Sequence, residues 1–60
     1  MSEFIQIEER FDGSWDVVHL RWEPSECEYV IEQVLESGFS TYDSARAHAD
    51  TYTWLEVRDA

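Results

Sequence analysis

The chain has 60 residues, a hydrophobic share of 43% that includes three each of Trp, Tyr and Phe, and 14 Asp and Glu against four Arg and no Lys, for a formal charge of −10. One domain over residues 1–60 is expected, burying only about 60% of the surface its unfolded form exposes and leaving no room for a deep substrate cavity. The apolar share excludes a disordered acidic tail, and the lack of Lys removes the counterion release that drives binding to DNA, RNA or anionic lipid.

Cys27 is the single cysteine, so no internal disulfide and no Cys-rich zinc site can staple the fold. The opening MSEFIQIEER carries neither the basic start nor the apolar run of a signal peptide, and no apolar run approaches the ~20 residues of a membrane span. The expectation is a soluble, cytoplasmic protein.

In chain order, the first signal is FIQIEERFDGSWDVVHLRW, residues 4–22. Two alternating stretches meet at Asp12-Gly13, the pair that suits a two-residue type I′ hairpin turn. Counting outward from that turn pairs Ile7 with Val18, Ile5 with Leu20 and Glu3 with Trp22. Ile5, Ile7, Val18, Leu20 and Trp22 then share one face. The opposite face would set Arg10 beside Trp15, Phe4 beside Arg21 and Gln6 beside His19, with cation-π contacts. Pro24 in WEPSE marks the turn out of the hairpin.

Residues 26–37, ECEYVIEQVLES, carry two periods at once. A helix would gather Cys27, Val30, Ile31, Val34 and Leu35, with Ser25 and Glu28 as a capping box and Gly38 as a stop. A strand would turn Cys27, Tyr29, Ile31 and Leu35 inward and Glu26, Glu28, Glu32 and Glu36 outward, leaving Val30, Gln33 and Val34 as misfits. A lone hairpin is marginal in water, and a third strand completes a stable sheet. The strand is therefore preferred, with the helix as the alternative.

In GFSTYDSARAHADTYTW, Ser40 and Asp43 resemble a capping pair that opens a helix. Tyr42, Ala45, Ala49 and Tyr52 form its apolar stripe, and the alanines permit close approach to a sheet. Asp43, Arg46 and Asp50 occupy the far side. TYTWLEV then alternates Leu55 and Val57 as a short closing strand. The expected fold class is α+β: a small antiparallel sheet made of a hairpin over 3–22, a third strand about 27–35 and a short C-terminal strand 53–57, packed by one helix about 40–52. In the alternative, residues 26–37 form a second helix.

Catalytic and metal chemistry find no support in spacing. There is no HExxH, no CxxC and no paired His at ligand spacing to join His19, His48 and Cys27. A paired-carboxylate mechanism needs a cleft that raises one pKa, and the acidic pattern of a calcium-binding loop is absent. An isolated Cys is more often a small core residue. No enzyme activity, metal or cofactor is expected.

The acids cluster between residues 23 and 36 without Lys or Arg among them. On a helix Glu28, Glu32 and Glu36 would form a ladder rising about 6 Å per step, and on a strand Glu26, Glu28, Glu32 and Glu36 would share the solvent face with neighbours about 6.6 Å apart; either is a negative track suited to a basic groove. In size and acidity the chain resembles the broad class of small phage-encoded inhibitors that imitate nucleic acid, anti-restriction and anti-CRISPR proteins among them. That resemblance implies a stoichiometric, protein-binding inhibitor that blocks a nucleic-acid-binding groove. The expected partner is a basic, nucleic-acid-binding protein, not nucleic acid itself and not a membrane. Partner-binding candidates are Glu26, Glu28, Tyr29, Glu32, Glu36 and Trp54, the aromatics supplying affinity where charge supplies rate and selectivity. Trp15, Trp54 and Phe4 exceed what so small a core needs, so a homodimer patch is a further use for them. The alternative function is a halophile-adapted, non-catalytic structural or accessory module whose charge serves hydration.

Overall fold

In the computed structural model, which describes residues 3–58, the chain runs β1 (Glu3–Glu9), β2 (Trp15–Glu23), β3 (Glu28–Phe39), α1 (Tyr42–Ala49) and β4 (Glu56–Val57). The four strands form one sheet in the order β3-β2-β1-β4, with α1 packed on one face. This is the expected small α+β fold, and residues 28–39 are strand, which excludes the second helix.

The sheet is mixed, and not antiparallel throughout as expected. β1, β2 and β3 form an antiparallel meander, whereas β4 pairs parallel to β1 through Phe4 with Glu56 and Ile5 with Val57. The cause is the connection. A tight turn reverses a strand, but α1 carries the chain over one face from the β3 edge to the β1 edge, and a crossover of that kind delivers a parallel strand. Arg58 N–H then closes the pairing on the Ile5 carbonyl at 2.8 Å.

The hairpin exists, but its register differs by one residue from the sequence count. Its loop is three residues long, Phe11, Asp12 and Gly13, and not Asp12-Gly13 alone. Arg10 N–H reaches the Ser14 carbonyl at 2.8 Å and Gly13 N–H reaches the Arg10 carbonyl at 3.0 Å. Gly13 sits at φ +91°, the left-handed residue that follows the turn in three-residue hairpins. Asp12 accepts from the Ser14 N–H and hydroxyl at 2.9 and 2.7 Å, which locks the wider loop. A one-residue slip exchanges faces. Ile5 therefore pairs with His19, Ile7 with Val17 and Phe4 with Leu20. Val18, Leu20 and Trp22 leave the predicted face and join Phe4 on the other side.

Ile5, Ile7, Val17, Ala45 and Ala49 form the helix-side core, with Trp15, Leu35, Phe39, Tyr42, Tyr52, Leu55 and Val57 packed around it. The predicted helix stripe is thus correct. The helix itself is shorter than 40–52. Its N-cap is Thr41, not Ser40: the Thr41 backbone is extended and its hydroxyl accepts from Ser44 N–H at 3.1 Å. At the other end Thr51 donates its hydroxyl to the His48 carbonyl at 2.7 Å, so a side chain satisfies the last turn and the helix stops.

β3 runs longer than the predicted 27–35 and is irregular. Register shifts along its pairing with β2 move the partners from Leu20 with Ile31 to His19 with Gln33, then from Val18 with Val34 to Val17 with Glu36. Each bulge changes the phase of the side chains. Tyr29, Ile31 and Val34 consequently share the face that α1 leaves open, while Leu35 and Phe39 join the helix side. The two overlapping periods in the sequence are these phases in succession. Cys27 does not join the core; it is exposed at φ 54° in the turn before β3.

Candidate functional site

Charge and exposed apolar surface are the features that the fold leaves available. All four arginines lie against carboxylates of their own chain. Arg10 Nε meets Asp16 Oδ2 at 2.8 Å, Arg46 meets Asp50 at 3.2 Å, Arg58 meets Glu56 at 2.9 Å, and Arg21 binds Glu23 at 2.7 Å and also Glu32. Glu23, followed by Glu32, holds the Arg21 guanidinium above its ordinary pKa, and Glu56 does the same for Arg58. The Ser25 hydroxyl, followed by Arg21, holds the Glu23 carboxyl below its ordinary value. Arginine neutralisation is therefore local, and the field beyond these pairs is negative.

The predicted acidic row is not a regular ladder. Glu26 lies in the turn before β3, its N–H bonded to the Glu23 carbonyl at 3.1 Å. Glu28 opens the strand opposite Glu23. Glu32 sits at the first bulge and is engaged by Arg21, and Glu36 follows the second bulge opposite Val17. Glu26, Glu28 and Glu36 are exposed, and no ion pair joins any of them among the described residues. The even spacing expected of a straight strand fails because bulges and a turn interrupt it. What remains is a pair of acidic regions: Glu26 and Glu28 at one end of β3, and Glu36 towards the other.

The two aromatic candidates lie on opposite faces. Tyr29 stands on the open face between Phe4 and Trp22, with ring centroids 4.8 and 5.1 Å away and edge-to-face geometry. Arg58 covers Phe4 at 4.5 Å, replacing the predicted contact of Phe4 with Arg21. Trp54 lies on the helix side, 63% exposed, its ring 5.8 Å from His19 and 6.4 Å from Tyr52. Phe4, predicted to be surplus to the core, is buried, and Trp15 packs at the edge of the helix-side core, 5.5 Å from Tyr42.

His19 does not lie on an outer face; the register slip buries it on the helix side, where Nε2 bonds Glu3 Oε1 at 2.7 Å. His48 lies beside the helix stripe, within hydrogen-bonding distance of the Tyr52 hydroxyl at 3.0 Å. No cluster among the described residues could hold a metal ion. A hollow of about 320 Å³ at the hairpin tip is lined by Glu9, Arg10, Phe11 and Asp12, a set without a nucleophile or a histidine. No helix among the described residues is long and apolar enough to cross a membrane.

Sequence reasoning missed three features. Ile31 and Val34 are 51% and 48% exposed on the open face; their mixed period in the sequence was the available signal. Phe11 is fully exposed at the hairpin tip, where an aromatic directly before Asp-Gly could have marked it. Asp16 is buried, its Oδ1 without a partner among the described residues while Oδ2 meets Arg10, and it lies two residues before Val18 on the same strand face, which is the signal that could have found it. No protein-family model, curated protein or solved structure matches the chain.

Proposed function

We propose that this chain is a non-catalytic, stoichiometric inhibitor that binds a basic, nucleic-acid-binding protein and occupies the groove meant for nucleic acid, within the cytoplasm. The observation that carries this reading is the closure of every arginine onto a carboxylate of its own chain, while Glu26, Glu28 and Glu36 stand exposed without a cation among the described residues. A surface of that kind attracts a positive groove at long range and repels polyanions. The bulges alter its form from a track to separated acidic patches. Glu32, already bonded to Arg21, then contributes less than the other three, and Tyr29 and Trp54 contact different parts of a partner.

The test is charge reversal of the exposed acids. Glu26→Lys, Glu28→Lys and Glu36→Lys are combined, folding is checked by circular dichroism, and binding to a panel of purified nucleic-acid-binding proteins is titrated at two ionic strengths. Wild-type binding should weaken with salt and be displaced by duplex DNA or RNA, and the triple variant should lose at least about tenfold in affinity. Unchanged affinity in the variant, or binding that nucleic acid does not displace, would overturn the proposal. If the charge serves hydration alone, stability will require molar KCl and no member of the panel will be retained at low salt.

A further inference from the structure

The open face of the sheet invites a more specific conclusion. Val18 and Leu20 form its floor, nearly covered by their neighbours, while Tyr29, Ile31 and Val34 stand 38%, 51% and 48% exposed above the β3 side. The one crossover, α1, covers the opposite face, so Ile31 and Val34 stay half exposed, while Arg58 interacts with Tyr29 at the end of the face beside Phe4. At one end the face is walled by Trp22, Tyr29 and Phe4 in edge-to-face contact. Beyond that wall lies the acidic turn of Glu26; at the other end lies Glu8, paired in register with Asp16, while Glu36, paired with Val17, belongs to the helix side. The cations of this face are closed: Arg10 onto Asp16, Arg58 onto Glu56 and the Phe4 ring. An apolar centre therefore sits between acidic ends.

We propose that this open sheet face docks a basic amphipathic helix of the partner protein, its apolar stripe on Ile31, Val34 and Leu20 and its Lys or Arg residues at Glu26 and at Glu8. This rests on the proposed binding of a basic protein and deepens it by naming the element that is bound. The dimensions agree. Three strands at about 4.8 Å spacing present a width of about 10 Å, the diameter of one helix, and the six residues from Tyr29 to Val34 span about 16 Å, or about three helical turns. A helix on a bare sheet face completes the layered packing that α1 supplies on the other side.

Other occupants fit less well. A second copy would bring another charge of −10 against the same acidic ends, a repulsion that like-signed surfaces do not overcome at low salt. An added β-strand would need the outer edge of β3, but register shifts break that strand at several points, and bulged edges resist regular pairing.

The probe is a synthetic peptide about 18 residues long, made of Leu and Lys with Leu at helical i, i+3, i+4 and i+7 positions, compared with a shuffled isomer of identical composition. Binding is followed by calorimetry, and the contacted residues by NMR shift mapping on the labelled protein. The patterned peptide should bind at least about tenfold tighter than the shuffled one. Its perturbations should centre on Leu20, Tyr29, Ile31 and Val34, and the double variant Ile31→Ser/Val34→Ser should bind both peptides equally. Equal affinity of wild type for the two peptides, shifts centred on the helix side, no binding of either peptide, or dimerisation through these residues in sedimentation would each overturn the helix assignment. The charge-reversal result with nucleic-acid-binding proteins is independent. If it holds while the patterned peptide shows no advantage, the acidic inhibitor stands and the docked helix falls.

Discussion

The two faces of the sheet are built from alternate residues of the same strands, yet they end in different physical states. On the covered face Ile5, Val17, Ala45 and Ala49 are completely buried, because a small-residue helix approaches the strands closely. On the open face burial reaches completion only near the floor at Val18, while the residues of β3 above it stay half exposed. The lesson is that one crossover helix suffices to make a core on one face of this sheet, while Ile31 and Val34 on the other face stay half exposed.

The largest expected effect comes from truncating one residue on each face. Ile5→Ala should cost about 2–5 kcal/mol, a large part of the stability of so small a domain, whereas Ile31→Ala should stay within about 1 kcal/mol. Urea denaturation of the two variants measures both; equal losses would erase the difference between the faces. Next is the turn that decides which residues belong to which face. Gly13 adopts φ +91°, where any Cβ is strained, so Gly13→Ala should cost about 1–2 kcal/mol in the same assay.

A smaller effect should separate the faces dynamically. Thr41→Ala removes the helix cap and should cost about 1 kcal/mol. Amide exchange should then quicken along α1 while β1 and β2 keep their protection; uniform acceleration would show that helix and sheet open as one unit. The smallest effect is electrostatic. Ser14, through its backbone N–H and then its hydroxyl, holds the Asp12 carboxyl below its ordinary 3.8. The stabilisation is therefore full above about pH 3.8 and is lost as pH falls through the lower folded value. Asp12→Asn should flatten that part of the acid-unfolding curve and leave the region above it unchanged in shape.

Much of the architecture was legible because it is written in local chemistry. Alternation around Asp12-Gly13 marked the hairpin, and Tyr42, Ala45, Ala49 and Tyr52 marked the helix face. What failed did so for specific reasons. Asp-Gly suits both two-residue and three-residue loops, and the Ser14 hydrogen bonds to Asp12 that select the longer one are visible only once the chain is folded. That one-residue choice moved Val18, Leu20 and Trp22 to the open face and buried His19. In residues 26–37 the sequence held two apolar phases, and a reading that insisted on one period could not place Val30, Gln33 and Val34. The candidate glutamates were identified as exposed, but their even spacing was lost to the bulges, and Glu32 to Arg21.

By itself the sequence determined the strong negative charge, the hairpin and the helix stripe, since these depend on composition and on residues within a turn or two of each other. Only the tertiary structure decided which face is covered, that β4 joins in parallel, that all four arginines are spent on carboxylates of the same chain, and that Ile31 and Val34 are left bare. Those outcomes depend on register and on where a crossover lands, and a displacement of one residue, too small to alter local propensity, reverses them.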